Sequence, residues 1–268
     1  MSGISNGRAP EGGDRPDPGL ADSAGLAWEG RNFDAHDVAY TDDDGSADAD
    51  LIAAIERLRD GASQADVIDA LRSARLLIPL VAHAGELGET PDGRLVDKTQ
   101  ELAIVTLAGP DGRRVMPAFT SALTMAQWDT NARPVPADAR RVAMAAAKED
   151  TQLVILDPAA SSEFLVRRPA VWAIGQGLPW TPSYEDVVVA RAFADSTAGE
   201  ARIVRVELVS GDPLGLFSGP ELTVRLVLVP GLDEHAVREI VGRLQALWAA
   251  DRVIAERVDS LSVALVPA

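Results

Sequence analysis

Histidine, the commonest metal ligand and the side chain most easily switched near neutral pH, occurs three times in 268 residues, at His36, His83 and His235. No two of these share ligand spacing, so neither a zinc helix nor a histidine-based dyad is expected. Cysteine is absent, which removes disulfides, thiolate nucleophiles, Cys-ligated zinc and sulfur transfer from consideration. The acidic string from Asp42 to Asp50 invites a calcium loop. With Gly45 at the sixth position of an EF-hand, however, Tyr40 falls at the first and Leu51 at the twelfth, where ligands are required. These acids are expected to precede a helix instead, with Ser46 or Asp48 as its cap and their charge facing the positive end of the dipole. No GxSxG elbow, phosphate loop or GxGxxG fingerprint occurs. Gly175, Gly177 and Pro179 come nearest to the last and read as a helix end and turn. A pair such as Glu149 and Asp150 does acid/base work only inside a cleft, and a solvated face is the expectation in so acidic a chain. No catalytic residue, metal or cofactor is assigned.

Two stretches are better suited to binding than to chemistry. In the first, Phe119, Thr120 and Ser121 lie where a strand turns into a helix, with Trp128 beyond. Core packing of Phe119 and Trp128, with Thr120 or Ser121 as the helix cap, competes with an open polar site there and is the favoured reading. In the second, Leu214, Gly215, Leu216 and Phe217 are flanked by the turn formers Gly211-Asp212-Pro213 and Ser218-Gly219-Pro220. Loops are normally polar, so this one either folds back onto the core, the favoured reading, or offers a partner an apolar contact at Leu214, Leu216 and Phe217.

The elements that must position these residues are legible in outline. Residues 1 to 30 hold seven Gly and three Pro, and residues 1 to 45 carry three Arg against ten Asp or Glu. Such a segment is expected to be a disordered acidic tail, with Leu26, Trp28 and Phe33 as a possible docking element. Leu51, Ile52, Ile55 and Leu58 form one helical stripe, and Val67, Ile68 and Leu71 a second after Gly61. A strand over 76–82 contains Pro79, which predicts an edge or a bulge. Strands over 101–107 and 113–119 flank the hairpin turn Gly109-Pro110-Asp111-Gly112, giving a three-stranded meander, and Pro91-Asp92-Gly93 makes a similar turn before it. Short helices near 121–129 and 137–148, a strand over 152–156 and a helix over 183–193 lead to a polar linker at 195–200. Beyond it, alternation over 204–208 and 222–228, a helix over 233–249 and a strand over 261–265 describe a β-β-α-β module with one helix on its sheet. The fold class is α+β: two small mixed modules, each a short, mostly antiparallel sheet with helices packed on it. The expected division is a tail at 1–45, a first domain at 46–195 and a second at 200–268.

The stretch from Asp43 to about Gly177 resembles the amino-terminal domain of the SseB family. The resemblance is carried by Asp43-Asp44-Gly45-Ser46-Ala47-Asp48, by Val115-Met116-Pro117-Ala118-Phe119-Thr120-Ser121 with Trp128 after it, by Arg133-Pro134-Val135-Pro136, and by the strand from Leu153 to Asp157. It implies that the carboxy-terminal module is the second domain some members carry. The family is named for an enhanced-serine-sensitivity phenotype and supplies no reaction, cofactor or catalytic residue to transfer. A secretion translocon protein shares the label, but this chain has neither the long apolar segment nor the heptads such a component needs.

The net charge of −16 disfavours nucleic acid and anionic lipid as partners, because counterion release rewards basic surfaces. Lysine occurs only at Lys98 and Lys148 against many arginines, a usage typical of high-GC actinobacterial genomes. With no apolar run long enough to span a bilayer and no leader pattern, the expected address is cytoplasmic, with no membrane partner. The leading functional expectation is a non-enzymatic adaptor that binds another protein. The alternative is a regulator, or an enzyme, that binds a small amino-acid-related molecule.

Overall fold

Asp48 opens the first helix by accepting the Leu51 N–H at 2.9 Å, and Asp44 folds onto the backbone N–H and hydroxyl of Ser46. The acidic string is therefore a helix entry. The computed structural model describes residues 40, 43–82, 87–89, 95–97, 102–148 and 151–268. The segment before residue 40, His83, the turn at Pro91-Asp92-Gly93 and the pair Glu149 and Asp150 lie outside the described residues. Helix α1 (Ala49–Arg59) and helix α2 (Gln64–Ser73), the latter capped by Ser63, bury the two predicted stripes except at Ile52, which is partly exposed. Strand β1 (Arg75–Ala82) follows, then a small antiparallel ribbon of β2 (Leu87–Glu89) and β3 (Leu95–Asp97), and then β4 (Leu102–Ile104), β5 (Leu107–Ala108) and β6 (Arg114–Ala118). Helix α3 (Ala122–Trp128), β7 (Arg133–Asp138), α4 (Ala139–Lys148), β8 (Val154–Leu156), β9 (Phe164–Val166) and α5 (Arg168–Gln176) complete the first part.

Pro79 lies in a central strand, where an edge was expected: β1 runs between β4 and β7. The missing N–H is tolerated for a local reason. Pro79 sits opposite Pro134 of β7, and on its other side it falls between the Leu77–Phe119 bridge and the β4 ladder, which starts at Leu80. No donor is called for there. The run predicted over 101–107 is split, β4 pairing with β1 and β5 with β6, so the meander is divided between two sheets bridged at Leu77 and Phe119. The four-stranded sheet has the order β5-β6-β8-β9, with β6 and β8 parallel.

The carboxy-terminal sheet is formed by β10 (Ile203–Ser210) and β11 (Leu222–Leu228), antiparallel, and by β12 (Leu261–Pro267), parallel to β11. It carries three helices rather than one: α6 (Val187–Thr197), α7 (Glu234–Ala250) and α8 (Arg252–Arg257) all contribute to its core. Val189 and Phe193 of α6 join Ile240, Leu244 and Trp248 of α7 against Leu222, Val224 and Leu226. Phe193 meets Trp248 edge-on at 5.1 Å, and the Trp248 Nε1–H donates to Ser196 at 2.8 Å. Residues 44–268 form one compact unit with mixed α+β architecture, and among the described residues no helix is long and apolar enough to cross a membrane.

Candidate functional site

The end of β6 is closed by a buried carboxylate. Asp157 is wholly enclosed and accepts from the Thr120 N–H at 2.8 Å and from the hydroxyls of Thr120, Thr124 and Ser162 at 2.6, 2.7 and 2.6 Å. Its backbone is left-handed, with φ of 42°. Ser121 caps α3 through the Thr124 N–H, and Phe119 packs on Trp128 at 5.3 Å between rings, together with Leu77 and Met125. Phe119, Thr120, Ser121 and Trp128 are thus brought together as core and cap, and the polar atoms of Thr120 are directed at Asp157.

The loop after β10 is organised by a second carboxylate. Asp212 accepts from the N–H groups of Leu216 and Phe217 at 3.1 and 3.0 Å, from the Ser218 hydroxyl at 2.8 Å, and from Arg167 Nη2 at 2.7 Å. Phe217 folds inward against Val115, Leu153 and Leu165, with the guanidinium carbons of Arg113 and Arg167 6.0 and 5.9 Å from its ring centre. Leu214 and Leu216 stay 38% and 39% exposed. The Gly215 carbonyl accepts the Leu165 N–H at 2.7 Å, so the loop covers the open side of β9. Arg167 also reaches Asp259 at 3.2 Å, and Asp259 is held by both terminal nitrogens of Arg113 at 2.8 and 2.9 Å. Burial pushes the Asp259 carboxyl up, but these two guanidiniums outweigh it and hold it below the usual range. These groups are bonded to one another across the junction.

An open cavity occurs elsewhere, beside α5. It measures about 820 Å³, with a floor and walls of Pro169, Trp172, Ala173, Leu178, Pro179 and Trp180. Trp172 and Leu178 are 53% and 52% exposed. The backbone that presents them is held by neighbours: Arg72 donates to the Leu178 carbonyl at 2.5 Å, Arg140 to that of Gly175 at 3.1 Å, and Gly177 ends α5 in the left-handed conformation with φ of 69°. Across the cavity, Arg168 donates to the carbonyls of Ala255 and Val258 at the end of α8, at 2.8 and 2.7 Å. Among the charged groups on the rim, Arg257 is paired with Asp186 at 2.7 Å and Glu256 with Arg252 at 2.6 Å, whereas Arg168 is held by carbonyls alone. Gln176 and Thr181 keep their side-chain polar groups uncommitted among the described residues, and the Trp180 Nε1–H is buried without an acceptor. The cavity therefore offers aromatic surface, neutral hydrogen-bonding groups and one guanidinium, Arg168, that is bonded to backbone carbonyls. Among the described residues no cluster of His, Asp or Glu is arranged to hold a metal ion.

A family model described as SseB protein N-terminal domain matches residues 49–173. The chain carries an SseB N-terminal domain. The match runs from the start of α1 into α5, so the Asp157 node lies inside the SseB domain and the Leu214–Phe217 loop beyond the match. The cavity spans its boundary, taking Trp172 and Ala173 from the SseB domain and Leu178, Trp180 and Arg257 from the sequence after it. No curated protein and no solved structure matches the chain. Sequence reasoning missed the cavity because its residues come from three separate elements. The available signal was Trp172 and Trp180 on either side of Gly177-Leu178-Pro179, an aromatic density high for a chain with five tryptophans.

Proposed function

We propose that the chain is a non-enzymatic interaction module that holds an uncharged, extended peptide segment of another protein in the cavity beside α5. The observation that carries this reading is a concave aromatic surface, Trp172 with Leu178, Pro179 and Trp180, beside which Gln176 and Thr181 keep neutral polar groups uncommitted among the described residues. Solvent-exposed apolar side chains that converge on a cavity mark a binding surface. Arg168 is tied to two backbone carbonyls, and a peptide backbone is met by neutral donors and acceptors such as Gln176 and Thr181. The same volume also falls in the range of small-molecule sites, roughly 300 to 1,000 Å³, which supports a small apolar ligand as the second reading.

The test is selection of displayed random peptides on the purified protein, followed by tryptophan-fluorescence titration of the enriched ones. Trp172→Ser is expected to weaken binding by about 2 kcal/mol, roughly thirtyfold, with the melting temperature unchanged because the side chain is half exposed. Peptides that bind Trp172→Ser as well as wild type would overturn the assignment of the cavity. A saturable thermal shift with small uncharged apolar molecules, and no peptide enriched, would favour the second reading.

A further inference from the structure

The carboxy-terminal sheet has the order β10-β11-β12, which leaves β12 at an edge. Beyond its ladder to β11, none of the described hydrogen bonds engages a backbone group of residues 261–267. A strand edge with unpaired N–H and C=O groups recruits another strand unless it is charged, bulged, interrupted by proline or covered. Other edges of this molecule are protected in those ways. β7 has Pro134 and Pro136, β9 is covered by Gly215, and β10 carries Arg205 and Glu207 with a register shift between Ile203 and Arg205. β12 reads Leu-Ser-Val-Ala-Leu-Val-Pro, with no charge and no proline before its last residue.

We propose that β12 pairs antiparallel with β12 of a second copy of this chain, about a two-fold axis at Ala264, joining two three-stranded sheets into one of six. The occupant follows from charge and register. In a chain of net charge −16, two copies approach most readily along a neutral strip. In the register centred on Ala264, Val263 of each copy lies opposite Leu265 of the other, and Ser262 opposite Val266, so like faces meet. Leu261 and Val263 pack under the helices, whereas Leu265, on the same face and beside Leu226, is 47% exposed. The second copy covers it.

The experiment is sedimentation velocity and light scattering on the full chain over a dilution series, with wild type, Leu265→Lys and Val204→Lys. Val204 is 52% exposed on the other edge strand and serves as the control. The expected result is a wild-type dimer that Val204→Lys retains and that Leu265→Lys weakens about tenfold or more, with the melting temperature of the dissociated protein unchanged. A wild type that is monomeric throughout, or a dimer that Leu265→Lys leaves intact, overturns the proposal. Peptide binding in the cavity beside α5 is read separately, so failure of either leaves the other standing.

Discussion

A buried carboxylate is costly unless every acceptor position is used, and Asp157 meets that condition with one backbone donor and three hydroxyls. Its role is to fasten the β6–α3 turn to the β8–β9 turn, and it occupies the polar groups that a binding site at Thr120 would need. Replacing it exposes the partners' requirements. Asp157→Ala strands the Thr120 N–H and hydroxyl in the interior, while Thr124 can still turn to the Ser121 carbonyl, and is expected to cost about 3 kcal/mol. Asp157→Asn, which also tolerates the left-handed backbone at φ of 42°, retains an acceptor and is expected to cost less. Urea denaturation of the two variants checks the order, and equal losses would show that the left-handed turn, rather than the hydrogen bonds, is what Asp157 supplies. None of this was visible in the sequence, where Asp157 is one acid among 41 and its partners lie up to 37 positions away.

At the scale of elements, periodicity succeeded where an apolar stripe is long. The α1 and α2 stripes are buried except at Ile52, which is partly exposed, and in α7 Ile240, Leu244 and Trp248 are buried while Leu247 at the margin is exposed. It failed where proline and short length mask a strand. β7 contains Pro134 and Pro136, which remove the usual strand signal from residues that nonetheless pair with β1 over Arg133–Asp138. β9 is three residues long, too short to show a period. In the Leu214–Phe217 loop, Phe217 folds back onto the core, while Leu214 and Leu216 remain partly exposed. Gly215 makes that arrangement possible, because it has φ of 63° and a Cβ there would lie 2.7 Å from the Phe164 ring. Gly199 has φ of 81° but open space around it. Gly199→Ala is therefore expected to cost about 1 kcal/mol of backbone strain alone. Gly215→Ala adds overpacking and is expected to cost roughly 2 to 4 kcal/mol. Thermal unfolding of the pair separates the two terms, and similar losses would mean that the loop shifts off β9 without penalty.

Taken as a whole, the molecule buries its ionic groups where the SseB domain meets the sequence after it, and this shapes its response to pH. Glu221 is enclosed there, and burial pushes its carboxyl up even though Asp259 and Ser183 donate their N–H groups to it at 2.6 and 3.3 Å. A carboxyl raised on folding takes up a proton, so its contribution to stability is complete below the unfolded value, about 4.3, and is lost as pH rises through the raised one. Asp259 and Glu200 act in the opposite sense. Glu200 is pushed down to about 2 chiefly by hydrogen bonds from Arg202, with Arg243 adding a further one, and its contribution is present above the unfolded value and lost as pH falls towards 2. Opposed limbs place the stability maximum from these groups near the ordinary carboxylate range, where the contributions of Asp259 and Glu200 are nearly complete and that of Glu221 is not yet lost. Urea midpoints measured from about pH 3 to 8 are expected to peak in mildly acidic buffer. Glu221→Gln, neutral at every pH, is expected to lose the alkaline decline and keep the acid one, while Glu200→Gln softens the acid limb only. Parallel curves for wild type and Glu221→Gln through the alkaline range would mean that the two backbone donors compensate fully for burial, and that the junction is held by Arg167 and Arg113 on Asp212 and Asp259 alone.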